Sequence, residues 1–175
     1  MVINYSELHF NGIFDVIHRT IEETYPKYYP RGAVDFFHNH HSQEKMRAQL
    51  PNEFTLILTQ NGKVFGVGSL FENEIKRFFI LPEYQGKGYG KMLLSELEKN
   101  VDCGKYAELT LDSSLGAAEF YRKNGFIFKD YKVINLSDGN YLCYLEMLKD
   151  IKLRSDNIPS GILKENLYKL HTILH

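Results

Sequence analysis

Apolar residues near the start of the chain recur with a helical period. Ile13, Val16, Ile17, Thr20 and Ile21 fall on one face, and Asn11 stands where it can cap the start. Pro26 and Pro30 each restrict the residue before them and end that pattern. A second helix is predicted over 34–50, closed by Pro51. The period then shortens to two, and residues 54–59, 64–71 and 74–81 read as strands. Asn61-Gly62 signals a two-residue hairpin, Glu72-Asn73 a further tight connection, and Pro82 stops the third strand. Over 88–101 the helical period returns: Leu93, Leu94, Leu97 and Val101 make an apolar stripe, with Glu96, Glu98 and Lys99 facing away.

A short strand over 107–111 and a short helix over 115–124 follow, with Gly125 in the usual position just past a helix end. Residues 126–134 and 141–148 read as a final antiparallel pair turning at Ser137-Asp138-Gly139. This order predicts an α/β (α+β) protein: one domain over 1–150, with a mixed, mostly antiparallel sheet flanked by helices. Residues 151–175 read as a C-terminal extension. There Ile162, Leu163, Leu167, Leu170 and Ile173 would give a helix over 160–173 one apolar face, to pack on the domain or on a dimer mate.

Composition narrows the partners more than the fold. With 43% apolar and 25% charged residues in 175, the chain is neither disordered nor fibrous. Its net charge of -1 gives no global attraction to nucleic acid or to an anionic membrane. No apolar run approaches the roughly 20 residues that span a bilayer. The first residues have neither a basic head nor an apolar core, so a cytoplasmic protein is expected. Cys103 and Cys143 alone make neither a disulfide framework nor a zinc ribbon, and neither lies in an activating motif for a nucleophile.

The segment Phe78-Phe79-Ile80-Leu81-Pro82-Glu83-Tyr84-Gln85-Gly86-Lys87-Gly88-Tyr89-Gly90-Lys91 is a strand feeding a glycine-rich turn that opens a helix. Unpaired backbone N–H groups and the positive end of the helix dipole then converge, which suits a phosphate. The spacing fails two common fingerprints. The dinucleotide pattern needs G-x-G-x-x-G, and a P-loop needs glycine where Gln85 stands and Ser or Thr where Met92 stands. A helix-start turn whose glycines serve only packing is the alternative.

Gln85-Gly86-Lys87-Gly88-Tyr89-Gly90 resembles the (Q/R)-x-x-G-x-(G/A) motif of the GNAT superfamily of N-acetyltransferases. Ala117-Ala118-Glu119-Phe120-Tyr121-Arg122-Lys123-Asn124-Gly125-Phe126 resembles that family's A-x-x-F-Y-x-K-x-G-F segment. Both blocks stand in the family's order, with a helix and a strand between them, and the resemblance covers about residues 1–150. It implies the GNAT fold, acetyl-CoA as cosubstrate, and transfer of its acetyl group directly to a primary amine. Gly86 to Lys91 would hold the pyrophosphate, with Gln85, Gly86, Lys87, Gly88, Tyr89, Gly90 and Lys91 as cofactor-binding positions. Phe78, Phe79 and Ile80 would line the splayed strand that pairs with the pantetheine arm, and a backbone N–H there would polarise the thioester carbonyl. Ser114 occupies the place of an Asn in many relatives and is a shorter donor.

Chemistry then needs a base and an acid, because an amine of pKa about 10.4 is protonated at neutral pH. Tyr121 takes the family's general-acid position. Aligned on the glycine turn, Glu74 takes the position of a base on the fourth strand; Glu72 and a water chain are the alternatives. A base on the fifth strand is not expected, since Leu109 falls at that place and Glu108 and Thr110 point to the opposite face. His38, His40 and His41 with Glu44 invite a metal reading, but no third or fourth convergent ligand completes a zinc set. These histidines, with Tyr25, Tyr28, Tyr29, Phe36 and Phe37, are expected to wall the acceptor side. The acceptor stays open among small-molecule amines, polyamines and peptide amines, and no metal is expected. The rival function is a non-catalytic acyl-CoA-binding or regulatory module of the same fold.

Overall fold

The structure is a computed structural model and describes residues 1–151. The helix predicted over 160–173 lies outside the described residues. The chain opens with a strand that the apolar pattern does not announce, β1 (Val2–Asn4), paired to the outer edge of β2 (Phe54–Gln60). Three residues are too few to show a period; the pairing of Ile3 with Ile57 makes this segment a strand.

Helix α1 (Phe10–Thr24) buries Ile13, Val16, Ile17, Thr20 and Ile21, the face read from the sequence. The predicted helix over 34–50 divides into α2 (Arg31–His40) and α3 (Gln43–Gln49). Ser42 causes the break. Its backbone is extended, and its hydroxyl accepts a hydrogen bond from the Lys45 N–H at 3.4 Å, so it caps a new helix.

Strands β2, β3 (Lys63–Phe71) and β4 (Glu74–Ile80) form the expected antiparallel meander, with the hairpin at Asn61-Gly62. Helix α4 (Tyr89–Glu98) crosses over to β5 (Glu108–Ser113). It lies close on β3 because Gly68 has no side chain: a Cβ there would stand 2.8 Å from Leu97 Cδ1. Then come α5 (Ala118–Lys123) and the antiparallel pair β6 (Ile127–Asn135) and β7 (Tyr141–Asp150).

The described strands form a seven-stranded sheet in the order β1-β2-β3-β4-β5-β7-β6. All neighbours are antiparallel except β4 and β5. One face carries α4 and α5 over Leu93, Leu94, Leu97, Leu109, Leu111 and Phe126. The other carries α1 to α3 over Ile13, Ile17, Met46, Ile57, Val67 and Leu142. Each such side chain, once fully buried, contributes about 1.5–3 kcal/mol. On the second face a buried ion pair joins Arg77 of β4 to Glu53, which also accepts from Ser69 Oγ at 2.7 Å.

Candidate active site

The parallel pair β4–β5 touches only at Glu74–Thr110 and Ile75–Leu111. Beyond those pairs β4 stays with β3 as far as Ile80, while β5 stays with β7 as far as Ser113. A gap therefore opens in the middle of the sheet. The Leu81 N–H donates to the Phe65 carbonyl at 2.9 Å. By the alternation of an antiparallel ladder, Phe79 and Leu81 then turn their N–H groups toward β3, and Phe78 and Ile80 turn theirs toward the gap. Of the three residues expected to pair with a cofactor arm, two offer it backbone. Phe79 instead sends its side chain to the α1–α2 face, where it meets Tyr25 and His41.

A cavity of about 730 Å³ runs through this gap. At one end lies the glycine-rich turn. Gly88 caps α4 with φ +85°, and Gly86 has φ +71°. A Cβ at either would meet nothing within 4 Å, so glycine is needed there for its backbone and not for space. Gly90 differs: its φ is ordinary, and a Cβ would press on the Phe120 ring at 3.1 Å. With no side-chain cap on α4, the N–H groups of its first turn stay open to an anion.

The remaining turn residues divide by role. Gln85 Nε2 donates to the Ile80 carbonyl at 2.8 Å and ties the turn to the end of β4. Lys91 lines the cavity, as does Lys123 of α5, the lysine of the segment from Ala117 to Phe126. Lys87 lies 5.8 Å from the Tyr84 ring and is not among the cavity-lining residues. Tyr89 packs its ring edgewise on Phe65 at 4.9 Å, so only its backbone serves the turn.

Helix α5 brings Tyr121 to the cavity, where its ring packs on Phe78 at 5.9 Å and on Phe126 at 5.6 Å. Burial raises the Tyr121 hydroxyl well above the ordinary tyrosine range, and the neighbouring Tyr25 adds to the effect. It is therefore a proton donor throughout the neutral range. Across the gap, the connection between α1 and α2 grips the loop after β5. Ser114 stands by the Tyr25 hydroxyl and opposes the rise that burial gives it, the Leu115 N–H donates to Tyr29 Oη at 2.7 Å, and Gly116 admits the Tyr28 ring. Burial pushes Tyr29 up to about 12. Ser114 also lines the cavity.

Two carboxylates line the cavity among the described residues, Glu74 and Asp112. Glu74 accepts from Lys76 Nζ at 2.8 Å. Glu72 pairs with Lys105 at 3.4 Å and is not a cavity residue. Asp112 was not singled out from the sequence. Its carboxyl is raised, first by desolvation and then by the charge of Glu74. The predicted strand stopped at residue 111, because Asp112-Ser113-Ser114 reads as a turn. Pairing of Asp112 with Glu146 and of Ser113 with Leu145 extends the strand. Leu109, Leu111 and Ser113 are buried, and the alternate positions Glu108, Thr110 and Asp112 lie on the face of α1 and α2. Extending that alternation by one residue past Thr110 and Leu111 would have found it.

The histidines separate. His40 and His41 line the cavity, whereas His38 hydrogen-bonds His18 Nδ1 at 2.7 Å and Glu22 at 3.0 Å, outside it. Desolvation holds His40 below the ordinary histidine value and His41 far below it, so both are neutral at pH 7. No group of three or more His, Cys, Asp or Glu among the described residues is placed to hold a metal ion. No helix of the described residues is long and apolar enough to cross a membrane.

Residues 24–148 match the sequence model of the acetyltransferase (GNAT) domain. A similar solved structure is a GCN5-related N-acetyltransferase (aminotransferase, class-II) from Rhodopseudomonas palustris. It is 25% identical over 86% of this chain and 95% of that one, with a TM-score of 0.79. The PaiA N-acetyltransferase of Thermoplasma acidophilum, solved with coenzyme A, is 24% identical over 86% and 98%, with a TM-score of 0.66. The ribosomal-protein-alanine N-acetyltransferase of Brucella melitensis is 20% identical over 86% and 99%, with a TM-score of 0.62. The likeness to these last two is one of fold. No curated protein sequence matches the chain significantly.

Proposed function

The chain belongs to the GNAT acetyltransferase family, and from that premise we propose that it transfers the acetyl group of acetyl-CoA to a primary amine. The observation that carries this reading is the juxtaposition of the open helix start at Gly88, the gap-facing N–H groups of β4 at Phe78 and Ile80, and Tyr121 around one cavity.

The backbone N–H groups from Gly86 to Lys91, with Lys91 and Lys123, receive the pyrophosphate. Phe78 and Ile80 pair main chain to main chain with the pantetheine arm, and a gap-facing N–H polarises the thioester carbonyl. A donor so placed is worth about 10²–10³ in rate. Asp112, or Glu74 beside it, takes the proton that the ammonium must lose before attack. The amine nitrogen then bonds to the carbonyl carbon, the carbon–sulfur bond breaks as the nitrogen loses its second proton to solvent water, and Tyr121 gives its proton to the departing thiolate. Tyr121 regains a proton from solvent after release. No acyl-enzyme forms, so Cys103 and Cys143 have no part in the reaction.

Incubation of the protein with acetyl-CoA and a mixture of primary amines tests this reading, with free thiol and acetylated product both followed. Amine-dependent thiol release matched by acetylamide is expected. Tight CoA binding without either product would instead support the binding module.

A further inference from the structure

We propose that the acceptor is a monoamine whose single ammonium is carried on an apolar body, aliphatic or aromatic. This assignment rests on the acetyl-transfer reading and adds the substrate class to it.

The acceptor end of the cavity has two kinds of surface. Its walls are mostly aromatic and aliphatic, with Lys27 the one cation that the α1–α2 connection adds to the cavity lining among the described residues. Tyr25, Phe36 and Phe37 come from the α1–α2 side, and Ile134, Leu142 and Tyr144 from the β6–β7 hairpin. The rings hold one another in place: Tyr25 meets Phe37 edgewise at 4.7 Å, and Phe36 stacks on His40 at 6.2 Å. Phe36, Phe37, Ile134 and Tyr144 are only half-buried, so apolar area is left for a ligand to cover. His40 and His41 add no charge at pH 7.

The acidic groups are few and close together. Glu74 and Asp112 are the carboxylates lining the cavity among the described residues, and Lys76 offsets one of their charges. Asp112 stands opposite Glu146 of β7, two residues along the strand from Tyr144, and Glu74 stands opposite Thr110 of β5, which sets both carboxylates next to the apolar wall. With both ionised, the three side chains carry one net negative charge, and Glu74 disfavours the charged form of Asp112. One ammonium there relieves that repulsion. A polyamine would bring further cations against aromatic and aliphatic walls and toward Lys27.

The test measures amine binding to the CoA-loaded protein by calorimetry, alongside acetylation kinetics. The probes are ethylamine, butylamine, hexylamine, 2-phenylethylamine, spermidine, glucosamine and an alanine-initiated tripeptide. Each added methylene should tighten binding about fourfold. Hexylamine and 2-phenylethylamine should exceed spermidine, glucosamine and the tripeptide at least about tenfold. Phe36→Ala and Ile134→Ala should each flatten the methylene series, while Asp112→Asn weakens every amine and leaves CoA affinity unchanged. A flat series, or a polar amine binding tighter, overturns the assignment and leaves acetyl transfer standing. Failure of the protein to bind CoA overturns acetyl transfer itself; the same series on the free protein then still decides the amine class.

Discussion

The Leu115 N–H donates to Tyr29 Oη at 2.7 Å, joining segments 86 residues apart across the mouth of the cavity. One partner belongs to the connection between α1 and α2, the other to the loop between β5 and α5. The bond spans the place where β4 and β5 have parted. It fixes the wall formed by the first helices against the loop that carries Ser114 and leads to Tyr121.

Tyr29→Phe keeps the ring and removes that acceptor. The variant should lose about 1–2 kcal/mol of stability, the cost of a partly buried N–H left unpaired, and should show a raised KM for acetyl-CoA as the Ser114 loop loosens. Thermal melting and steady-state kinetics measure the two effects separately.

Gly88 and Gly62 make a matched pair. Both have left-handed backbones, φ +85° and +74°, and neither has an atom within 4 Å of a would-be Cβ. Alanine at either site should therefore cost about 1–2 kcal/mol. Gly88→Ala should also weaken acetyl-CoA about tenfold by displacing the start of α4, whereas Gly62→Ala, in the remote hairpin, should leave affinity unchanged. Equal affinities for both variants would place the cofactor away from this turn.

Tyr121→Phe removes a hydroxyl from a ring whose packing on Phe78, Phe120 and Phe126 is unaltered. CoA affinity should hold while kcat falls at least about a hundredfold. An unchanged kcat would assign the proton donation to another group.

Asp112 predicts opposite effects on activity and stability. Its carboxyl is raised above the usual 3.8 by desolvation and Glu74, with Glu146 acting the same way and Lys76 and Lys132 opposing. The protonated form is thus favoured in the folded protein. That advantage is present at low pH and is lost as pH rises through the raised value. Ionised Asp112 therefore costs stability at pH 7, and Asp112→Asn should melt higher there than the parent. Its kcat/KM for amine should drop, and the acid limb of the pH profile, set above ordinary aspartate in the parent, should shift or vanish.

Much of this was legible in the sequence because local chemistry decided it. Asn61-Gly62 allows little but a tight hairpin, and the glycines from 86 to 90 precede a clear helical stripe. Other features depend on partners far along the chain. Val2 to Asn4 become a strand only by pairing with β2. Asp112 remains in β5 only because β7 pairs with it, and that one added residue makes it a cavity carboxylate. The division of the helix at Ser42 was readable in principle, since serine is a common cap. The closing Pro51 makes one long helix the simpler reading. His38 and His40 stand two residues apart on α2, about 200° around the helix, so His38 meets His18 while His40 and His41 reach the cavity.

Calorimetric titration of the protein with acetyl-CoA, CoA, ATP and NAD tests the central claim most directly. The account predicts micromolar-range binding of the two CoA species and no comparable binding of ATP or NAD. Binding of a nucleotide without CoA, or of none of the four, would contradict it, and with it every role given to the residues around the gap between β4 and β5.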